Sequence, residues 1–212
     1  MTEFELLSVP VGLILGLGMT KILGSVTSII RNRNHIKLHW LPFTWALVFI
    51  LFLLVFFFHI WDINLRYQEE SSSWTWPHYG PVILHIVLMY LGCGLILPSE
   101  KTTNQLSDLL VDFEAHGKLA LILLAITLMI SWPFNMYLHA MPFFVPGNYL
   151  NLILTILIIA FLKFNNRSFR NIITILFLVI QIYGMLFHWS RPGHFEYVNQ
   201  DEAIEELKAE GK

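Results

Sequence analysis

The sequence is dominated by long apolar stretches from which charged residues are missing altogether. The longest of them, residues 119–162, contains no Asp, Glu, Lys or Arg, and Pro146-Gly147 is its one plausible break. The hydrocarbon core of a bilayer takes roughly 20 residues of helix, so this stretch is long enough for two membrane helices. Because a water-soluble domain cannot bury two adjoining apolar helices of this length, the pattern predicts an integral membrane protein.

The same pattern delimits six apolar spans. Their apolar residues run continuously instead of alternating, which favours helices over the strands of a membrane barrel. The spans cover residues 6–30, 41–62, 80–97, 119–140, 148–162 and 172–189, and the fifth is short for a membrane crossing. We therefore expect an all-α, polytopic six-transmembrane-helix bundle over 1–194, followed by an acidic, partly helical tail outside the membrane over 195–212.

Composition supports a membrane protein and gives no indication of a nucleic-acid partner. Charged residues make up 13% of the 212 and the mean hydropathy is +0.61, whereas a soluble domain is about 25% charged. The net charge of -2 gives no reason to expect a nucleic-acid partner. Cys93 is the single cysteine, which excludes an intramolecular disulfide and a CxxC metal site. Residues 1–5 lack the basic region of a cleavable signal peptide, so we interpret the first span as a retained helix.

The basic residues of the loops predict the orientation. The loops after the first, third and fifth spans carry eight Lys and Arg residues, whereas the opposite side carries Arg66, Arg191, Lys208 and Lys212. Because short cytoplasmic loops are enriched in Lys and Arg, both termini are expected on the non-cytoplasmic side. The pattern is typical of a small bacterial inner-membrane protein.

With this orientation, histidines gather at the outer ends of four spans. Together with nearby polar and aromatic side chains at helical spacing, they form the predicted ligand-binding set. Its members are His59, Asp62, His85, Trp132, Asn135, His139, Gln181, His188 and Trp189. Ionisable groups within a membrane usually face the bundle interior and mark a site or a pathway. Tryptophans also gather at membrane interfaces for purely amphipathic reasons, so an aromatic belt is the alternative interpretation.

The chemistry of the predicted site is left open by the sequence. His59, His85, His139 and His188 are the candidate ligands for a transition metal or for haem. No HExxH or paired-histidine spacing favours a metal, and no Ser-His-Asp arrangement or Walker loop indicates a catalytic residue.

Two features of the first span are also candidates for function. Lys21 is a basic residue embedded in the span, and it either snorkels to the inner surface or needs a partner as a gate or counter-charge. Gly12 and Gly16 form a GxxxG spacing, which allows close helix contacts in lipid. We expect that contact within the bundle, with a homo-oligomer or a partner membrane subunit as the alternative.

Three functions follow from these observations. The first is a protein that binds or passes a small molecule or ion through an outward-facing site. The second is a haem- or metal-bearing redox protein that uses the same histidines. The third is a non-catalytic subunit of a larger membrane assembly.

Overall fold

The computed structural model describes residues 3–69, 76–103, 106–138 and 146–189. Side chains are described for 8–61, 78–99, 102–103, 106–137 and 148–187. Within these ranges every regular element is a helix, which confirms the all-α prediction, and extended pairing is confined to one bridge between Lys37 and Asp108. The predicted tail over 195–212 lies outside the described residues.

Eight α-helices and two π-helical turns follow one another along the described chain. They are α1 (Glu3–Arg31), α2 (Trp40–Glu69), α3 (Trp76–Leu95), α4 (Glu100–Thr103), α5 (Leu109–Asp112), a π-turn (Phe113–Gly117), α6 (Lys118–Leu138), α7 (Pro146–Lys163), α8 (Arg167–Gly184) and a second π-turn (Met185–Trp189). Five helical segments are long and apolar enough to cross a membrane. They lie in α1, α2, α3, α5–α6 and α8. The apolar part of α7, Asn148–Lys163, is shorter.

The helix that leads into the fourth predicted span begins about ten residues before the span itself. The Asp108 side chain caps α5 by accepting hydrogen bonds from the backbone N–H groups of Leu110 and Val111. The π-turn then carries the helix into α6 without a break. Gly117 is required there, because a Cβ atom at this position would overlap the Phe113 ring.

Helix α2 lies at the centre of the bundle. Its Trp45 contacts Phe161 of α7 and Phe177 of α8, with ring centroids 5.4 and 4.8 Å away. Phe49 fills the space above Gly92 of α3, and Phe56 stacks on His85. Because α2 advances seven residues from Phe49 to Phe56 while α3 goes back seven from Gly92 to His85, these two helices are antiparallel.

Three connecting segments meet at one end of the bundle, which we call the basic end. The segment 32–39 pairs with 106–109 through Lys37, whose N–H donates to Ser107 O and whose carbonyl accepts from Leu109 N. His39 contacts Arg167 across the start of α8. Basic side chains on these segments and the adjoining helix ends are Arg31, Arg33, Lys37, Lys118, Lys163, Arg167 and Arg170. The other end of the bundle, called the opposite end below, holds the ends of α2 and α6 and the starts of α3 and α7.

The expected close contact of Gly12 and Gly16 within the bundle is not formed with any of the described residues. No described atom of another segment lies within 4 Å of a Cβ built at either glycine. The neighbouring Leu13 is exposed, so this stripe of α1 faces outward.

Candidate functional site

A chain of neutral polar side chains crosses the opposite end of the bundle. His59 Nε2 donates to Asn135 Oδ1 at 3.2 Å, and Asn135 Nδ2 donates to Asn148 Oδ1 at 2.9 Å. Asn135 and Asn148 are buried. The contacts join α2 to the last turn of α6 and the first turn of α7.

His85 of α3 forms a second hydrogen-bonded group beside the first. Its Nδ1–H donates to the carbonyl of Pro81 at 3.0 Å, and its Nε2 lies 3.1 Å from Ser131 Oγ. Ser131 Oγ also lies 2.9 Å from the carbonyl of Thr127. We use the name polar layer for the residues His59, His85, Ser131, Asn135 and Asn148.

The Ser131 hydroxyl has one proton and two acceptors within reach. In neutral His85 with the proton on Nδ1, Nε2 is an acceptor and Ser131 donates to it. In protonated His85, Nε2–H donates to Ser131 Oγ, and the hydroxyl proton turns to the carbonyl of Thr127. The geometry therefore accommodates both protonation states of His85 through a hydroxyl rotation.

Aromatic rings enclose the two imidazoles. Phe134 contacts both, with its centroid 5.9 Å from that of His59 and 4.7 Å from that of His85. Phe56 stacks on His85 at 5.5 Å with nearly parallel planes. The polar layer is thus held between apolar surfaces, where hydrogen bonds are stronger than in water.

Gln181 of α8 lies at the same depth as the polar layer. A three-residue turn joins α7 and α8, and Asn148 and Gln181 are each about 21–23 Å of helix away from it. Gln181 is 0% exposed, and neither Oε1 nor Nε2 has a hydrogen-bond partner among the described residues. The indole N–H of Trp45 is also unpaired there, but Gln181 lacks partners for both a donor and an acceptor.

The structure brings together some of the predicted site residues. His59, His85 and Asn135 belong to the polar layer, Gln181 lies at its depth, and Trp132 is half-buried next to Ser131. His139 lies outside the described residues. The side chains of Asp62, His188 and Trp189 are likewise outside the described ranges, so their place in the site stays a prediction.

No metal centre is formed by the described residues, where no three His, Cys, Asp or Glu side chains converge. Both ring nitrogens of His85 already face oxygen atoms. The metal and haem hypotheses therefore depend on His139 and His188, whose side chains are not described.

Sequence reasoning missed Ser131 and Asn148. Ser131 follows Thr127 and precedes Asn135 at intervals of four residues, a polar stripe on the apolar helix α6. Asn148 lies in the first turn of α7, and Asn151 and Thr155 continue along its buried face. The spacing of these small polar residues was the available signal.

Lys21 has an aromatic partner instead of a place in the polar layer. Its Nζ lies 4.0 Å from the centroid of the Tyr90 ring, and Gly94 leaves room for the ammonium group. Because α1 continues to Arg31, Lys21 is about 15 Å of helix from that end. This geometry matches the partnered alternative, and the gate role stays a prediction.

At the basic end, charged groups are paired across the connecting segments. Lys37 Nζ lies 3.5 Å from Asp108 Oδ2. Partial burial raises the pKa of Asp108, but the hydrogen bonds from Leu110 and Val111 and the charge of Lys37 outweigh it and lower the pKa overall. Burial and the neighbouring Arg167 lower the pKa of His39 below its usual value.

Arg167 also decides the tautomer of His39. Its Nη2 can only donate and lies 2.8 Å from His39 Nε2, so Nε2 is the acceptor and Nδ1 carries the proton. With the proton on Nδ1, this nitrogen has no lone pair to accept a hydrogen bond from the backbone N–H of Leu41, which lies 3.3 Å away. The shorter contact to Arg167 is therefore the hydrogen bond.

No protein-family model matches the chain, and searches among curated proteins and solved structures find no match either.

Proposed function

We propose that this chain is an integral membrane protein that binds or passes a small polar molecule or ion at the polar layer, with access from the opposite end of the bundle. The predicted site residues His59, His85, Asn135 and Gln181 line the site, and Ser131 and Asn148 complete it. Trp132 is its proposed aromatic wall.

The observation that carries the proposal is the unpaired amide of Gln181. Burying an amide without hydrogen bonds costs about 1–3 kcal/mol by protein mutational data and more by transfer to hydrocarbon. Gln181 presents one donor group and one acceptor group to the same space, both without partners in the described part of the chain. A bound water or ligand that both donates and accepts satisfies them.

The chemistry of the polar layer favours ligands of a defined kind. Its side chains are amides, imidazoles and a hydroxyl, without a described carboxylate or ammonium group among them. Such a set recognises a small molecule by hydrogen bonds in both directions. The two hydrogen-bond states of Ser131 additionally suit a ligand or pathway that exchanges protons with His85.

The proposal includes six membrane crossings, with α7 as the shortest. Basic side chains gather at one end of the bundle, which supports a cytoplasmic location for that end. Both termini then lie outside, and the proposed membrane is a bacterial inner membrane. Reporter fusions at Asn104 and Asn165 are expected to give cytoplasmic signals, and fusions at Ser72 and Lys212 the reverse. A cytoplasmic signal at Lys212 would contradict this orientation.

Accessibility of position 181 tests the site itself. In a Cys93→Ala background, Gln181→Cys is expected to react with a small, membrane-impermeant cationic methanethiosulfonate added outside intact cells. Leu154→Cys is the matched control, because Leu154 is also 0% exposed but lies on the apolar part of α7. Labelling of Gln181→Cys no faster than of Leu154→Cys would reject a water-accessible site.

Assembly with another membrane subunit is a second candidate function, favoured by the outward face of Gly12 and Gly16. Small residues on a lipid-facing helix surface allow a second helix to approach closely. Gly16→Ile is expected to dissociate such a complex in mild detergent, whereas Leu23→Ile, at another exposed position of α1, leaves it intact. Native mass spectrometry that shows a monomer for the unchanged chain would count against this function.

A further inference from the structure

Arg170 is a buried charge near the start of α8, at the basic end of the bundle. It is only 5% exposed. Its Nη1 donates to Glu114 Oε1 at 2.6 Å, and its guanidinium carbon lies 4.5 Å from the centroid of the Phe161 ring. The group is thus fixed on one edge by a carboxylate and on one face by an aromatic ring.

The other edge of this guanidinium is unpaired. Nε and Nη2 are both buried, and neither has a hydrogen-bond partner among the described residues. These two nitrogens form the side of the guanidinium that donates two parallel hydrogen bonds to an oxyanion. A buried cationic donor without a partner is costly, and a bound anion would supply the partner that the described residues do not.

A pocket of about 70 Å³ lies beside Arg170. We call it the arginine pocket; its lining residues are His39, Leu41, Leu110, Glu114, Asn165, Arg167, Arg170 and Asn171. A single water needs roughly 10–15 Å³ by a comparable measure, so the pocket has room for a tetrahedral oxyanion. It lies outside the polar layer, at the other end of the bundle.

The lining favours an anion. Two arginines face one carboxylate, and His39 is held neutral as the acceptor of Arg167. Asn171 Oδ1 is also unpaired among the described residues, and an amide flip would turn its Nδ2 donor toward the same space. Donors from several directions suit the distributed oxygens of a phosphate group better than the planar pair of a carboxylate.

We propose that the arginine pocket binds a phosphate group, held by the Nε and Nη2 edge of Arg170 and by Arg167. The group is either free phosphate or the headgroup phosphate of a lipid, because the basic end lies where membrane headgroups are expected. Arg167 is exposed and is therefore released from His39 at small cost to contact the incoming anion.

Thermal unfolding of the whole chain in maltoside detergent tests the proposal with two probes. One is inorganic phosphate, compared with chloride at equal ionic strength. The other is dihexanoyl phosphatidic acid, compared with the phosphate-free dihexanoylglycerol. At least one phosphate probe is expected to raise the unfolding midpoint in a saturable way, and the stronger probe identifies the source of the group.

Variants separate the pocket from general basic charge. Arg167→Gln is expected to raise the dissociation constant of the effective probe about tenfold, the loss of one charge-assisted hydrogen bond. Arg170→Lys keeps the charge but removes the pair of parallel donors, Nε and Nη2. It is expected to raise the dissociation constant at least as much. Arg33→Gln is the matched control, because Arg33 is exposed at the same end but does not line the pocket.

Two results would overturn the proposal. One is the absence of saturable stabilisation by either phosphate probe over its control. The other is an equal loss of affinity in Arg33→Gln and Arg167→Gln. If Arg170→Lys fails to fold, the comparison of Arg167→Gln with Arg33→Gln still decides the question.

Discussion

The polar layer and the arginine pocket handle buried polar groups in different ways. The polar layer consists of neutral side chains that hydrogen-bond one another across α2, α3, α6 and α7. The arginine pocket contains three charged side chains, Glu114, Arg167 and Arg170, which are partly paired at the helix ends. Along α8, Arg170 and Gln181 are about 16 Å apart, and the packed rings of Trp45, Phe161 and Phe177 lie in the bundle near Arg170.

The difference follows from the cost of polar groups in an apolar bundle. An unpaired charge costs far more than an unpaired amide, so charges are found where water or headgroups can reach them. Neutral amides and imidazoles can be placed deeper, provided that each finds a partner. In the described chain, polar atoms of Gln181 in the first region and of Arg170 and Asn171 in the second lack hydrogen-bond partners, and both sites are proposed on that ground.

The largest effect is expected from breaking the ion pair of the arginine pocket. Glu114→Gln leaves the buried guanidinium of Arg170 without its counter-charge, and the free energy of unfolding should fall by about 2–3 kcal/mol. Asp112→Asn is the matched control, since Asp112 pairs with the exposed His116 instead. Equal losses in reversible unfolding experiments would show that Arg170 does not depend on Glu114.

Removing the middle of the polar layer should cost less. Asn135→Leu removes the hydrogen bonds to His59 Nε2 and Asn148 Oδ1, at about 1–2 kcal/mol of unfolding free energy, because hydrogen bonds between apolar helices are individually modest. Met136→Leu, at the next and exposed position of α6, is the control. A loss no greater than that of the control would mean that the asparagine chain does not stabilise the bundle.

The stability contributed by His39 at the basic end should depend on pH. The pKa of His39 is lowered by burial and by Arg167, so the unfolded chain binds the proton first as the pH falls. The stability that His39 contributes is complete above its ordinary pKa of 6.5 and is lost as the pH falls through the range below it. In His39→Gln, which can still accept from Arg167, the unfolding midpoint should vary less between pH 7 and pH 5. Identical pH profiles would contradict the assigned role.

The smallest effect is expected at Lys21, which belongs to neither region. Lys21→Met loses a cation–π contact worth about 0.5–1 kcal/mol at an exposed site but also removes a charge from an apolar helix, so stability should change by less than about 1 kcal/mol. Tyr90→Leu removes the ring and keeps the charge, and it should destabilise more, whereas Tyr90→Phe should not. A larger loss of stability in Lys21→Met than in Tyr90→Leu would show that Lys21 has another partner.

Apolar runs were sufficient to predict the helices, because continuous apolar runs of this length favour helices over strands. They misplaced the helix starts near residues 109 and 167, where Asp108 and Asn166 cap the chain before its apolar part begins. The structure brings His59 and His85 together against Phe134, and the role of the predicted histidine site stays a prediction. The contacts of Asn148 and Ser131 depend on which faces of α6, α7 and α3 meet, and periodicity in one helix does not contain that information.

The burial of Arg170 is also a property that the sequence alone does not predict. In the sequence Arg170 is one of eight basic residues in three loops, and the only property predicted from it there is the orientation. Its burial follows from the packing of α8 against α7, which places the guanidinium over Phe161. Only the three-dimensional arrangement separates it from Arg167, which is exposed three residues earlier.

An experimental structure of the unchanged protein in a lipid nanodisc would test the ligand site most directly. We expect density for a water molecule or a small ligand within about 3.2 Å of both Oε1 and Nε2 of Gln181, on the side of Asn148. Density that pairs the Gln181 amide with protein groups alone, or that shows only acyl chain beside it, would contradict the proposed site.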